Sequence, residues 1–391
     1  MARPVVLAYG FRTFFLLAPA WGVLALTLWT LMLGGRMAGP ALPAAQWHSH
    51  EMLFGFVMAT AGGFFLTAIT HWCNRPPLAG ARLAGLAGLW LAGRVAIWFW
   101  GALPPVTVAV IDLAYPVAFA LFASTELLRH GQKRDRILPV IFAVFIVANL
   151  MFHAEWLGWL EDGAAMGGRL FLAAVALKIG EVAGRIIPTF TETWAEKHGL
   201  NPALVRRVPW LNHATQTAVA AFVPLYTLWP EGWATAGVAM VAAVLTAWRL
   251  WGWQGWRTWR DPLLAVLHLG YWWIAIGFAL VAVQAMAPSP LPSALLHGLA
   301  AGAIGTWALA LMSRASLGHT GRPPKVAWWM VPAYGAVVAG SVVRLSEPWV
   351  AATAVPAVLA AAAGLWSLGY LVFLAGYGRW LISPRVDGKP G

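Results

Sequence analysis

Apolar runs of 18 or more residues recur from one end of this 391-residue chain to the other. A run of that length with almost no charge has one stable solution in hydrocarbon. It forms an α-helix, whose backbone donors and acceptors are satisfied within the segment. Hydropathy divides the sequence into twelve such spans, at 14–33, 49–70, 83–101, 105–127, 137–153, 165–187, 210–229, 232–251, 262–286, 293–313, 326–344 and 349–376. The predicted class is therefore an all-α, polytopic membrane helical bundle of about 12 transmembrane helices, with residues 1–391 as a single integral membrane domain. With 60% of residues hydrophobic and only 10% charged, no stretch remains for a soluble domain. The longest polar connection, 188–209, is expected to hold at most a short surface helix. Pro76-Pro77 and Pro104-Pro105 mark tight turns, while Pro116, Pro224 and Pro356 fall inside predicted spans and are expected to kink them. Twelve spans permit a six-plus-six arrangement, but no match between the halves is evident, so an inverted repeat finds no support.

A net charge of +12 raises the question of nucleic acid, and the placement of the charge answers it. Basic residues gather in alternate connections, such as Arg129, Lys133, Arg134 and Arg136, or Arg314, Arg322 and Lys325. The intervening loops collect Glu155, Glu161, Asp162, Glu231 and Glu347. That is the positive-inside pattern of a lipid bilayer protein with both termini cytoplasmic, and no nucleic acid partner is expected. The first span lacks a cleavage context and reads as an anchor. Many of the 26 tryptophans fall at predicted span ends, where indole rings favour the headgroup layer. A lone cysteine, Cys73, excludes an internal disulfide and a Cys-ligated cluster. With no CxxCH motif, any haem would be bound non-covalently.

Histidine carries the chemistry. Seven of the ten lie in or beside predicted spans: His48, His50, His71, His153, His268, His297 and His319. Imidazole at bilayer depth is costly and points to a metal or haem site. His297 and His319 are 22 residues apart, so a continuous helix would separate them by ~33 Å. The set sorts into an outer tier of His48, His50, His153 and His297 and an inner tier of His71, His268 and His319. The outer tier, drawn from three spans, is the better metal site, since neutral imidazole ligates copper and haem iron. His48 and His50 would face one side only if their segment were extended. Glu51 follows at once and is a candidate proton shuttle. The competing reading is an interfacial anchor for one or two of these rings. His268 has Tyr271 and Trp272 at i+3 and i+4 and is balanced between ligand and core histidine. His319, in Gly318-His319-Thr320-Gly321-Arg322-Pro323, reads as a flexible basic loop that suits lipid phosphate equally. His71 reads as interfacial, and His130, His198 and His213 as solvated.

Two polar constellations stand apart. Arg94 and Asp112, in neighbouring predicted spans, are expected to pair. Lys178, Glu181 and Arg185 share one helix face, as a static ion network, a haem-propionate clamp or part of a proton route.

The histidine segments also carry a resemblance. Trp47-His48-Ser49-His50-Glu51-Met52-Leu53-Phe54-Gly55-Phe56 resembles the opening of the NnrS family, continued by Arg75-Pro76-Pro77-Leu78, Leu89-Trp90-Leu91-Ala92-Gly93-Arg94 and Gly184-Arg185-Ile186-Ile187-Pro188. Leu267-His268-Leu269-Gly270-Tyr271 and Ser313-Arg314-Ala315-Ser316-Leu317-Gly318-His319-Thr320-Gly321-Arg322-Pro323 complete it. The resemblance implies a multi-pass protein of the bacterial inner (cytoplasmic) membrane, associated with haem b, copper or another second metal, and nitric oxide. His48, His50, His153, His268, His297 and His319 fall in blocks similar to the family's and are the expected metal and cofactor ligands. Arg185 and Arg314 are expected to bind cofactor, and Glu51 and Tyr271 to take part in catalysis. His71, Lys178 and Glu181 depart from the family pattern. The implied activity is a haem–copper type oxidoreductase that reduces NO to N2O with electrons from a quinol or cytochrome. The alternatives are a transporter or permease and a non-catalytic nitric-oxide-sensing or metal-handling protein.

Overall fold

Most backbone polar groups of the described residues find their partners inside helices. The computed structural model describes residues 4–287 and 294–389. Its helices run α1 (Gly10–Leu33), α2 (Ala44–His50), α3 (Met58–Trp72), α4 (Ala81–Trp98), α5 (Pro105–His130), α6 (Leu138–Trp156) and α7 (Gly163–Lys197). They continue through α8 (Pro209–Leu228), α9 (Trp233–Trp251), α10 (Pro262–Ala285), α11 (Thr306–His319), α12 (Met330–Leu345) and α13 (Val355–Leu381). Among the described residues there is no strand, only an isolated bridge between Trp100 and Leu103. Among the described residues, seven helices are long and apolar enough to cross a membrane: Gly10–Leu33, Ala44–Trp72, Pro105–His130, Asp135–Trp156, Trp233–Trp251, Pro262–Ala285 and Ala352–Leu381.

Local chemistry departs from the hydropathy reading in three places. Residues 188–197 of the expected polar connection belong to α7, which runs for 35 residues with Pro188 inside it. Pro356 is the second residue of α13, where the missing N–H has no helical acceptor to satisfy, so it demands no kink. His319 is the last residue of α11, not part of a loop.

The helices gather into two compact units, Met1–Phe171 with Ala315–Pro323 and Tyr370–Gly391, and Leu172–Arg314 with Pro324–Gly369. In the first, glycine lets helices approach closely, since a Cβ on Gly63 would lie 2.7 Å from the Phe15 ring and one on Gly93 would lie 3.1 Å from Asp112 Cα. Small residues of this kind drive helix association where the hydrophobic effect is absent. Buried Arg12 donates through Nη1 to the carbonyls of Trp380 at 3.2 Å, Leu381 at 2.8 Å and Ser383 at 2.8 Å. A guanidinium there satisfies carbonyls that the end of α13 leaves open and complements its dipole. In the second unit, α10 lies against residues 298–305, where a Cβ on Gly277 would meet Leu299 Cγ at 2.7 Å.

Two π-helical turns, Glu51–Val57 and Gly298–Gly305, interrupt the α geometry. Each follows a histidine, His50 or His297, and each holds a glycine five residues past it, Gly55 or Gly302. Each frame reaches Arg-Pro-Pro 25 residues after its histidine, at Arg75-Pro76-Pro77 and Arg322-Pro323-Pro324. The register persists into the next helix, where Ala92-Gly93 and Val95 correspond to Ala339-Gly340 and Val342. Gly93 approaches α5 as Gly340 approaches α13, with a Cβ on Gly340 2.8 Å from the Ala362 carbonyl oxygen. The preceding helices, α1 and α10, are 24 residues each. The halves therefore do match locally, on a few spaced residues too sparse for a hydropathy comparison to register.

Candidate functional site

Five stretches of the first unit build one buried polar cluster. His50 closes α2 and Glu51 opens the π turn, a geometry that often marks functional sites. Arg94 comes from α4 and Asp112 from α5, brought together by the bare Gly93. Asn149 and His153 come from α6, four residues apart on one face. His50, Glu51, Asn149 and His153 have no exposed surface, and Asp112 and Arg94 keep only 1% and 3%.

Asp112 is the hub. Its Oδ2 lies 3.1 Å from His50 Nε2, 2.9 Å from His153 Nε2 and 2.9 Å from Asn149 Nδ2, while Arg94 Nη2 donates to Oδ1. His50 Nε2 also lies 2.9 Å from Asn149 Oδ1. On the other edge of the ring, His50 Nδ1 is 3.0 Å from Glu51 Oε1, which also accepts from Arg94 Nη1 at 2.9 Å. Aromatic rings enclose the group, with Trp156 centred 5.1 Å from His50 and 5.3 Å from His153. Glu51 Oε2, His153 Nδ1 and Arg94 Nε have no hydrogen-bond partner among the described residues.

The charges do not balance with neutral imidazoles. Two carboxylates face one guanidinium, and a buried negative charge is costly unless a cation compensates it. A proton on imidazole or a metal ion would each do so. His50, Asp112 and His153 each offer one ligand atom, and these atoms lie within 4.8 Å of one another. Two imidazoles and a carboxylate suit a first-row transition ion, and contacts near 3 Å between donors match bonds of about 2.1 Å. The link from His50 Nδ1 to Glu51 is the carboxylate–histidine arrangement that fixes the tautomer of a metal ligand.

The other expected site residues are distributed elsewhere. Because α2 is helical, His48 points away from His50 and stacks on Trp29, with centroids 4.2 Å apart. His71 and His319 stack on each other at 5.5 Å, and Phe11 lies 5.2 Å from His319. His50 and His71 ride one continuous helix, Ala44–Trp72, and are ~32 Å apart along it. In the second unit, His297 immediately precedes its π turn. His268 Nε2 is 3.0 Å from Thr191 Oγ1, and Tyr271 accepts from Arg249 Nη1 at 3.0 Å. Arg185 and Lys178 both pair with Glu181, and Arg314 lies 3.5 Å from the centroid of the Phe190 ring. The Arg94–Asp112 pair forms as expected. Asp112 as a candidate ligand, and Asn149 beside it, were not foreseen. An amide four residues before a histidine in an apolar span was the available signal.

The family described as NnrS protein matches residues 5–385. The chain belongs to the NnrS family. No curated protein matches it. In this NnrS chain, all of the motif blocks from Trp47 to Pro323 fall inside the matched range, and so do all six residues of the buried cluster.

Proposed function

We propose that this NnrS protein is a metal-dependent membrane oxidoreductase that reduces nitric oxide to nitrous oxide, the haem–copper type being what the family resemblance implies. Its frame would be about 12 spans of the bacterial inner membrane with both termini cytoplasmic. The observation that carries the reading is the fully buried His50–Asp112–His153 donor set with Glu51 behind it. Nitric oxide is small and uncharged and reaches such a site through lipid without a polar channel.

The donor set fits a single ion, copper or another second metal, through His50 Nε2, His153 Nε2 and Asp112 Oδ2. It does not fit haem, because both Nε2 atoms converge on one carboxylate oxygen and leave no face for a porphyrin. His268 also has its Nε2 engaged. The haem that the family resemblance implies is therefore not placed, and no step is routed through it. A bound ion supplies a binding site for the nitrogen or oxygen of nitric oxide and a path for electrons.

The chain's own residues supply position and protons. Coupling two NO to N2O and water consumes two protons and two electrons, the electrons coming from a quinol or cytochrome. Arg94 fixes both carboxylates at once, so Glu51 and Asp112 cannot swing apart. Within the cluster, Glu51 Oε2 is the carboxylate oxygen without a partner among the described residues, and a proton in transit to the reacting groups would pass through it. The aromatic wall excludes water from the reacting groups.

The test is turnover. Metal-replete protein with a reductant should release many nitrous oxide molecules per chain and lose this in His50→Ala and His153→Ala. Stoichiometric capture without turnover at full metal loading would reduce the protein to a sensor or metal-handling role. Uptake into proteoliposomes without bound metal would favour a permease.

A further inference from the structure

In the second unit, a cavity of about 730 Å³ lies among α7, α8 and α9 and takes no part in the chemistry above. Arg185, Arg206, Arg207 and Arg249 all line it, together with the indoles of Trp248 and Trp251. Glu181 is the one carboxylate in the described lining, and it is engaged by Lys178 and Arg185. Arg207 is held by Glu192 through Nε at 2.6 Å and Nη2 at 2.5 Å. Arg206 has no ion pair among the described residues.

Arg249 decides the matter. It is 5% exposed and bonds only neutral groups, with Nη1 donating to the Tyr271 hydroxyl at 3.0 Å and Nη2 to the Gly180 carbonyl at 3.1 Å. Its guanidinium also lies 5.0 Å from the Trp253 ring. The bare Gly184 admits it, since a Cβ there would collide with Nη2. A buried guanidinium facing no carboxylate is costly unless an anion compensates it. Gln216 Nε2, also on the lining, is buried with no partner among the described residues.

We propose that this cavity binds a phosphate group. Guanidinium forks match phosphate oxygens bidentately, and the indoles suit the apolar body of an amphiphile. The phosphate could come from an anionic phospholipid headgroup, as in basic pockets between membrane helices, or from a soluble phosphate.

The test uses the full chain in detergent and its thermal unfolding midpoint. It is titrated with inorganic phosphate, with phosphatidylglycerol and, as a zwitterionic comparison, with phosphatidylcholine. Phosphatidylglycerol should raise the midpoint more than phosphatidylcholine does, with apparent affinity at least tenfold weaker in Arg249→Gln and Arg206→Gln. Arg206 is exposed, so its variant keeps the test open if Arg249→Gln does not fold. Protection by phosphatidylglycerol alone assigns the lipid source, and equal protection by inorganic phosphate assigns the soluble one. Absence of protection by either, or equal protection of both variants and the parent protein, would overturn the proposal. Release of a bound chromophore by Arg206→Gln would overturn it too, by placing a cofactor carboxylate there.

Discussion

Replacing Asp112 with asparagine removes one charge and almost no volume, so its effect isolates the hub of the cluster. Oδ2 of the carboxylate lies 2.9–3.1 Å from three nitrogens, of which Asn149 Nδ2 donates, and Oδ1 accepts from Arg94. An amide has only one accepting end. If its oxygen faces His50, Asn149 and His153, its NH2 confronts Arg94; if it turns, the NH2 confronts the Asn149 amide donor and the two imidazoles instead. Breaking a buried pair from one side costs about 3–5 kcal/mol. Glu51 still holds Arg94 at 2.9 Å, so the lower end applies, about 3 kcal/mol or roughly two powers of ten in the folded ratio. Tryptophan fluorescence during denaturation would measure it, with metal content read on the same samples. Arg94→Gln combined with Asp112→Asn should cost clearly less than the two single changes summed, because the pair is coupled. A single variant within about 0.5 kcal/mol of the parent, with its metal stoichiometry intact, would refute the reasoning.

Glu51→Gln keeps the His50 contact but loses the charge behind the ligand. Metal affinity measured by competition with a chelator should fall about 10–100-fold while the fold persists. Gly93→Ala would press a Cβ within 2.8 Å of Asp112 Oδ1 and 3.1 Å of its Cα, costing about 1–3 kcal/mol in the same denaturation assay. Gly88→Ala on the same helix meets open space and should be neutral or stabilising by up to about 1 kcal/mol. Outside the spans, Arg385 holds the exposed Asp387 carboxyl well below the usual carboxylate range and donates to the His319 carbonyl at 3.0 Å. A value depressed on folding contributes stability above the unfolded value, about 4, and loses it as pH falls through the folded one. Limited proteolysis should therefore find the tail as protected at pH 5 as at pH 7, with protection lost only in stronger acid.

The helical class was legible because length and apolarity leave few alternatives inside lipid. The Arg94–Asp112 pair was legible too, since two opposite charges in neighbouring apolar segments have little else to do. His50 and His153 were on the candidate roster, but so were four histidines that the fold places elsewhere. What separated them was local geometry. The helical turn that carries both His48 and His50 sends one ring to Trp29 and the other to Asp112. Asn149 escaped notice because an amide carries no formal charge. The extension of α7 through Lys197 was obscured by its polar residues, which promise a loop by composition but return their hydroxyls to the helix's own carbonyls, as Thr189 does to Arg185 at 2.8 Å and Thr193 to Thr189 at 3.0 Å.

The recurring His–Gly–Arg-Pro-Pro frame gives the protein a built-in control. Counting in register, the place of Arg94 is taken in the later frame by Ser341, whose hydroxyl merely returns to the Val337 carbonyl at 2.8 Å. One rendering of the scaffold carries ionisable machinery, and the other leaves the same position chemically silent. A lesion at Gly340 should loosen its own helix crossing much as one at Gly93 does, yet leave the proposed metal site untouched. Comparing the twins would separate damage to architecture from damage to chemistry within a single polypeptide.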